Sequence, residues 1–217
     1  MMPATPALPL PVGLLALQGD YEMHRRMLAR LGRETVAVRR PDELAQAGAL
    51  IVPGGESTTL SRLIDRNGLR EPLLAFAAAG KPILGTCAGL IMLSRGLVDE
   101  AQADWHGVRP LGLLDVTVRR NGYGRQVDSF TEPVRLEGSL AVVAAEAAAG
   151  GAPAVDGTLP VVYIRAPRID AVGPAAEVIA RRPGGEIVGV RQGRVVGLTF
   201  HPELGEDGRF HRLLAVA

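Results

Sequence analysis

The feature of this sequence that most constrains its fold is a repeated order: a short apolar run, a glycine or proline stop, then residues spaced like one face of a helix. Residues 12–17 (VGLLAL) stop at Gln18-Gly19, and Met23, Met27, Leu28 and Leu31 follow at helical spacing. A second strand is expected at 35–38 and a third at 49–52 (ALIV), which ends sharply at Pro53-Gly54-Gly55. Ser57 or Thr58 is placed to cap a helix through Leu60, Leu63 and Ile64, and 71–79 reads as another helix. Residues 81–84 (KPIL) form the next strand and 88–93 the next helix, with Cys87 at their junction. Strands that alternate with helices predict a parallel sheet covered on both faces, and such sheets collect ligands at the carboxyl ends of their strands. Further along, strand-like pieces at 114–118, 138–144, 161–164, 177–180, 187–192 and 195–200 have few helices between them, and Gly193-Arg194 joins the last two as a hairpin.

At 217 residues the chain suits a single α/β domain, expected over 12–217, behind a disordered leader at 1–11 that holds four prolines. The Ala/Gly/Pro-rich stretch 144–159 is expected to be a surface loop. A net charge of +1, with no basic stripe, removes the electrostatic footprint of a nucleic-acid binder. No apolar run approaches the length of a membrane span, and the leader lacks the charged start of a secretory signal, so a cytoplasmic location is expected. One cysteine excludes an internal disulfide and a multi-cysteine metal site. Cys87 is thus either a buried filler, the commonest fate of a lone cysteine, or a nucleophile.

Gly85-Thr86-Cys87-Ala88-Gly89 has the Gly-x-Cys-x-Gly form of a nucleophile elbow between a strand and a helix. A sulfur there sits beside the unpaired amides and positive dipole end of the helix, which stabilise negative charge, and the same amides can hold an oxyanion. A thiolate nucleophile needs a base, and the base needs a third group to orient it. His201-Pro202-Glu203, just past a strand, supplies both, with Pro202 fixing the backbone so that Glu203 can fold back toward the imidazole. Alone, a His-Pro-Glu turn is weak; with the elbow it becomes specific. His24, His106 and His211 are assigned exposed or hydrogen-bonded structural roles, with His24 also a possible contact for a partner protein.

The ordered set Leu17-Gln18-Gly19, PGGESTT at 53–59, GTCAG at 85–89, RNGYGRQVDSF at 120–130, IRAPRI at 164–169 and FHPEL at 200–204 resembles the glutaminase subunits of pyridoxal 5′-phosphate synthase, within the class I glutamine amidotransferases. The resemblance implies a flavodoxin-like three-layer α/β fold with a mostly parallel central sheet. It implies Cys87 as nucleophile, His201 as acid/base and Glu203 as orienter in the hydrolysis of L-glutamine, with no metal or organic cofactor. It places Gly55, Glu56, Ser57, Arg120, Ile164 and Arg165 at the glutamine, where an arginine suits the carboxylate of a free amino acid. The amides of Gly54, Gly55 and Ala88 are the oxyanion candidates. The implied partner is a (β/α)-barrel synthase subunit, a dodecamer carrying up to twelve glutaminases, and docking is expected to switch activity on by flipping the Gly54-Gly55 peptide. The competing readings are a glutaminase of another amidotransferase, a hydrolase of γ-glutamyl peptides, and a noncatalytic α/β protein with a reactive cysteine.

Overall fold

The computed structural model describes residues 10–98, 107–120, 122, 129–138 and 158–214. Most of the 144–159 stretch, residues 1–9 of the leader, His106 and most of RNGYGRQVDSF lie outside the described residues.

The first half follows the alternating order. Strand β1 (Val12–Leu15) leads to α1 (Tyr21–Arg30), β2 (Thr35–Val38), α2 (Pro41–Ala45), β3 (Ala49–Val52), α3 (Ser57–Arg66), α4 (Arg70–Ala78), β4 (Ile83–Thr86) and α5 (Ala88–Leu93). The second half is strand-rich: β5 (Ser94–Leu97), β6 (Leu114–Arg119), β7 (Phe130–Leu136), β8 (Thr158–Tyr163), β9 (Arg168–Val172), β10 (Glu177–Arg181), β11 (Ile187–Gln192) and β12 (Val195–Leu198). A 3-10 turn (Pro202–Leu204) and the short helix α6 (Arg209–Arg212) close it.

Among the described residues, nine strands form one sheet in the order β2-β1-β3-β4-β12-β11-β10-β7-β8, and β5-β6-β9 form a second. Strands β2, β1, β3, β4 and β12 run parallel, and from β12 outward the pairing is antiparallel. The continuous apolar runs of the parallel part are explained by burial on both faces. Leu14, Ile51, Leu84 and Val196 pack with Leu28 of α1 and Phe210 of α6, whereas Leu15, Leu50, Val52 and Ile83 face Leu60, Leu73 and Leu90. Each fully buried leucine or isoleucine in these layers is worth about 1.5–3 kcal/mol relative to exposure.

The hairpin of β11 and β12 forms as expected, with Gln192 across from Val195 and Gly193 at φ +57°, a conformation that favours glycine in a two-residue turn. Four expectations need correction. The cap of α3 is Glu56, whose carboxylate accepts the Thr58 and Thr59 amides, so Ser57 and Thr58 are already helical. Leu10 and Pro11, expected in the leader, pack onto the domain: the Pro11 carbonyl accepts the Gly48 N–H, and Leu10 lies against Gly48. Thr158 and Leu159 belong to β8 rather than to a loop, and Leu159 is buried. The strand expected from 138 does not begin there; β7 ends at Leu136, and residues 139–144 lie outside the described set.

The register sets the site. Val52 stands beside Gly85, and Thr86 beside Leu198, so the carboxyl ends of β3, β4 and β12 end level at one sheet edge. Pro53, Cys87 and Thr199 follow these ends directly.

Candidate active site

Cys87 leaves β4 at φ +51°, one of two non-glycine residues with positive φ among the described residues; the other is Arg165. This costs roughly 1 kcal/mol or more and persists because the neighbours over-determine it. The Cys87 N–H donates to the Leu198 carbonyl of β12, and α5 begins at Ala88. The flanking glycines have packing reasons of their own: a Cβ on Gly89 would collide with the Val52 carbonyl, and one on Gly85 would lie 2.5 Å from Leu93 Cδ1. The elbow can therefore exist only where helix and strand come this close.

His201 is held from the other side. Its N–H donates to Val162 O of β8 at 2.9 Å, which fixes the backbone at the carboxyl end of β12. The 3-10 turn started by Pro202 swings Glu203 back, and Glu203 Oε1 lies 2.7 Å from His201 Nδ1 with both side chains buried. His201 Nε2 has no hydrogen-bond partner among the described residues. Burial works against a charged ring, but Cys87 and Glu203 outweigh it and raise His201 to about 10. Gly54 lies between nucleophile and base: a Cβ there would sit 2.5 Å from His201 Cε1 and 3.4 Å from Cys87 Cβ.

Cys87 and His201 open onto a cavity of about 520 Å³, which Gly54, Gly55, Glu56, Ser57, Ala88, Arg120, Ile164 and Arg165 also line. Every residue expected at the site is thus gathered around it except Glu203, which stands behind His201. Arg120 reaches across to Thr58 Oγ1 at 3.2 Å, with its guanidinium 3.6 Å from Glu56 Oε1. Burial opposes ionisation of Glu56, yet hydrogen bonds from Thr59 and Thr58 lower it to about 2. The Ile164 carbonyl accepts weakly from Cys87 Sγ at 3.9 Å.

The Pro-Gly-Gly turn is tied to the loop after β1. Gln18 exchanges hydrogen bonds with the Glu56 backbone at 3.1 and 3.2 Å, and the Asp20 N–H donates to Gly54 O at 3.2 Å. A Cβ on Gly19 would collide with Gly54 O, so Leu17-Gln18-Gly19 is a clamp on the turn as well as its neighbour.

Sequence reasoning missed what lies behind the base. His24 and His211 are fully buried rather than exposed, so the expected structural role holds and His24 is closed to a partner protein. His24 lies 2.9 Å from His211 Nε2, 3.2 Å from Thr86 Oγ1 and 3.4 Å from Glu203 Oε2. Burial, followed by the neighbouring histidines, pushes His24 well below its usual range, and burial lowers His211 to about 4. A signal existed: His24, Met27 and Leu28 share the buried face of α1.

Residues 14–216 match the model of the SNO glutamine amidotransferase family. The chain belongs to this family. Among its relatives, the pyridoxal 5′-phosphate synthase subunit PdxT of Dehalococcoides mccartyi is 45% identical over 201 residues, 93% of each chain. The protein of the same name from Acidothermus cellulolyticus is 48% identical over 205 residues, 92% of this chain and 89% of that one. A solved glutamine amidotransferase superposes with a TM-score of 0.78 at 40% identity, covering 94% of this chain and 99% of the other. The amidotransferase fold accounts for the parallel half of the large sheet and for the site at its carboxyl edge. Among the described residues, no helix is long and apolar enough to cross a membrane and no group of three or more His, Cys, Asp or Glu is placed to hold a metal ion.

Proposed function

We propose that this chain is the glutaminase subunit of a pyridoxal 5′-phosphate synthase, hydrolysing L-glutamine and passing ammonia to a synthase subunit. The observation that carries the reading is the line from Cys87 and His201 at one cavity to Glu203 behind it, with Nδ1 of the base engaged by the carboxylate and Nε2 left open. His201 Nε2 receives the Cys87 thiol proton as Sγ attacks the side-chain amide carbon of glutamine, and the electron pair of the C=O bond moves to the carbonyl oxygen, toward amides at Gly55 and Ala88. As the C–N bond breaks, His201 Nε2–H gives its proton to the departing nitrogen, releasing ammonia and leaving a γ-glutamyl thioester. Water then attacks the thioester, His201 takes its proton, the C–S bond breaks, and glutamate leaves. Glu203 holds the ring in the tautomer that keeps Nε2 toward the sulfur.

Arg120 and Arg165 are assigned to the carboxylate of the substrate, and Gly55, Glu56, Ser57 and Ile164 to the walls that fix its position. The acceptor is a (β/α)-barrel subunit in the cytoplasm, twelve to a ring, with up to twelve copies of this chain docked on it. Docking activates by turning the Gly54-Gly55 peptide, which requires the Asp20 N–H to release Gly54 O.

The test is glutamate release by the purified chain with and without the synthase subunit, using Cys87→Ala as control. Partner-dependent release that the variant abolishes is expected. Equal rates with and without the partner overturn the docking switch and favour a hydrolase of γ-glutamyl compounds, and no release under either condition overturns the glutaminase reading.

A further inference from the structure

Glu203 is a buried carboxylate with two oxygens, and the proposed triad uses only one of them. Oε1 faces His201 Nδ1 at 2.7 Å, and the nitrogen facing Oε2 is His24 Nε2, at 3.4 Å. His24 comes from α1, Thr86 from the end of β4 and His211 from α6, so three separate elements meet behind the base. The charged or titratable groups that face His24 are His211, Glu203 and, farther off, His201.

The two tautomers of a neutral His24 are not equivalent here. With the proton on Nδ1, the Nε2 lone pair faces the Glu203 carboxylate, and His211 must carry its own proton on Nδ1, where it finds no acceptor among the described residues. With the proton on Nε2, His24 donates toward Thr86 Oγ1 and Glu203 Oε2, and its Nδ1 accepts from His211 Nε2–H. His211 Nδ1 is then a bare acceptor, and an unpaired acceptor is tolerated better in a protein interior than an unpaired N–H. Each arrangement leaves one proton without an acceptor among the described residues, His211 Nδ1–H in the first and the Thr86 hydroxyl in the second, but only the second turns a donor and not a lone pair toward the carboxylate.

We propose that His24, locked in its Nε2–H tautomer by His211, is a positioning residue that holds the second oxygen of Glu203 and so fixes the carboxylate toward His201. The hydrogen bonds run from His211 through His24 to Thr86, the residue preceding the nucleophile, and the same His24 Nε2 stands 3.4 Å from Glu203 Oε2, which makes no hydrogen bond of normal geometry among the described residues. The proposal rests on the glutaminase reading for its kinetics but not for its structural claim.

Two measurements on the full chain test it. Nitrogen-15 NMR of the imidazoles is expected to show His24 protonated on Nε2 alone at pH 7; an Nδ1–H tautomer or a charged ring overturns the proposal. His24→Leu removes the donor at similar bulk, and His24→Gln restores an N–H at the Nε2 position. With the synthase present, His24→Leu is expected to lower kcat at least tenfold with KM for glutamine within twofold, and His24→Gln to recover most of it. The rate at which iodoacetamide alkylates Cys87, the single cysteine, is expected to follow the same order. Equal rates in all three proteins, or equal losses in both variants, overturn the proposal. If the wild type turns over no glutamine, the glutaminase reading fails while alkylation and the tautomer still judge His24. If a variant does not fold, the tautomer in the wild type decides.

Discussion

Replacing Glu203 with glutamine keeps the side chain's shape and removes its charge from a site that is almost wholly buried. The rise of His201 from 6.5 to about 10 corresponds to about 5 kcal/mol in favour of the charged ring. Burial subtracts from that balance, and Cys87 and Glu203 together supply it. Glu203 Oε1 lies 2.7 Å from Nδ1, and a charge pair near this range contributes about 4 kcal/mol at an effective dielectric of about 20. Losing one of the two partners is therefore expected to cost the charged ring at least about 2 kcal/mol, moving His201 to about 8.5 or below. The glutamine amide also turns a donor toward Nδ1–H as readily as an acceptor, so the ring loses its orientation. The assay is the pH dependence of kcat/KM for glutamine hydrolysis with the synthase present. The alkaline limb is expected to move down by at least about one pH unit, and kcat at pH 7 to fall by about 10²–10⁴. An alkaline limb that stays where the wild type has it would refute the reasoning, because Glu203 would then not be what keeps His201 charged.

Gly54→Ala places a methyl 2.5 Å from His201 Cε1 and 3.2 Å from Nδ1, so the ring must shift; a loss of about 10²-fold in kcat is expected with little change in the urea midpoint. Gly193→Ala meets open space but requires φ +57°, so urea unfolding should show a loss of about 1 kcal/mol while glutaminase activity is unchanged. Stability is expected to peak near pH 6.5. The lowered His211, at about 4, contributes stability that is present above 6.5 and lost as pH falls through 4, up to about 3 kcal/mol, and His24 acts in the same direction. The raised His201 contributes stability that is present below 6.5 and lost as pH rises through about 10. Urea midpoints at pH 4.5, 6.5 and 9 check this, and a midpoint still climbing between 6.5 and 9 contradicts it.

The parallel half of the sheet was legible because its strands are buried on both faces and stop at glycine or proline, as β3 does at Pro53. Helix α5 began at Ala88, where the glycine-flanked elbow put it. Strand β7 was not legible, since FTEPVRL carries a proline and two charges, Glu132 and Arg135, and its strand character comes from pairing with β8 and β10. The cap of α3 was misplaced by one or two residues because Glu56, exposed and long, outcompetes the hydroxyls for the first amides. Cys87, His201 and Glu203 could be named from local patterns, whereas His24 and His211 are 187 positions apart and carry no motif. What the first of them did carry was its place on the apolar face of α1, where a histidine must find a partner.

That buried pair bears on why the site is built at the level where β3, β4 and β12 end. A charged imidazole in a buried position needs a fixed counter-charge, and a lone buried carboxylate is itself costly. Here the charge on Glu203 is flanked by His201 on one oxygen and the neutral His24 on the other. His24 can serve there because burial keeps it neutral: a charged ring would draw Glu203 toward itself and weaken its hold on His201. The low basicity of His24 and His211 and the high basicity of His201 thus have one arrangement behind them, in which the charge behind the nucleophile is confined to His201 and Glu203. His24 and His211 are placed so that the carboxylate has one charged partner and not two.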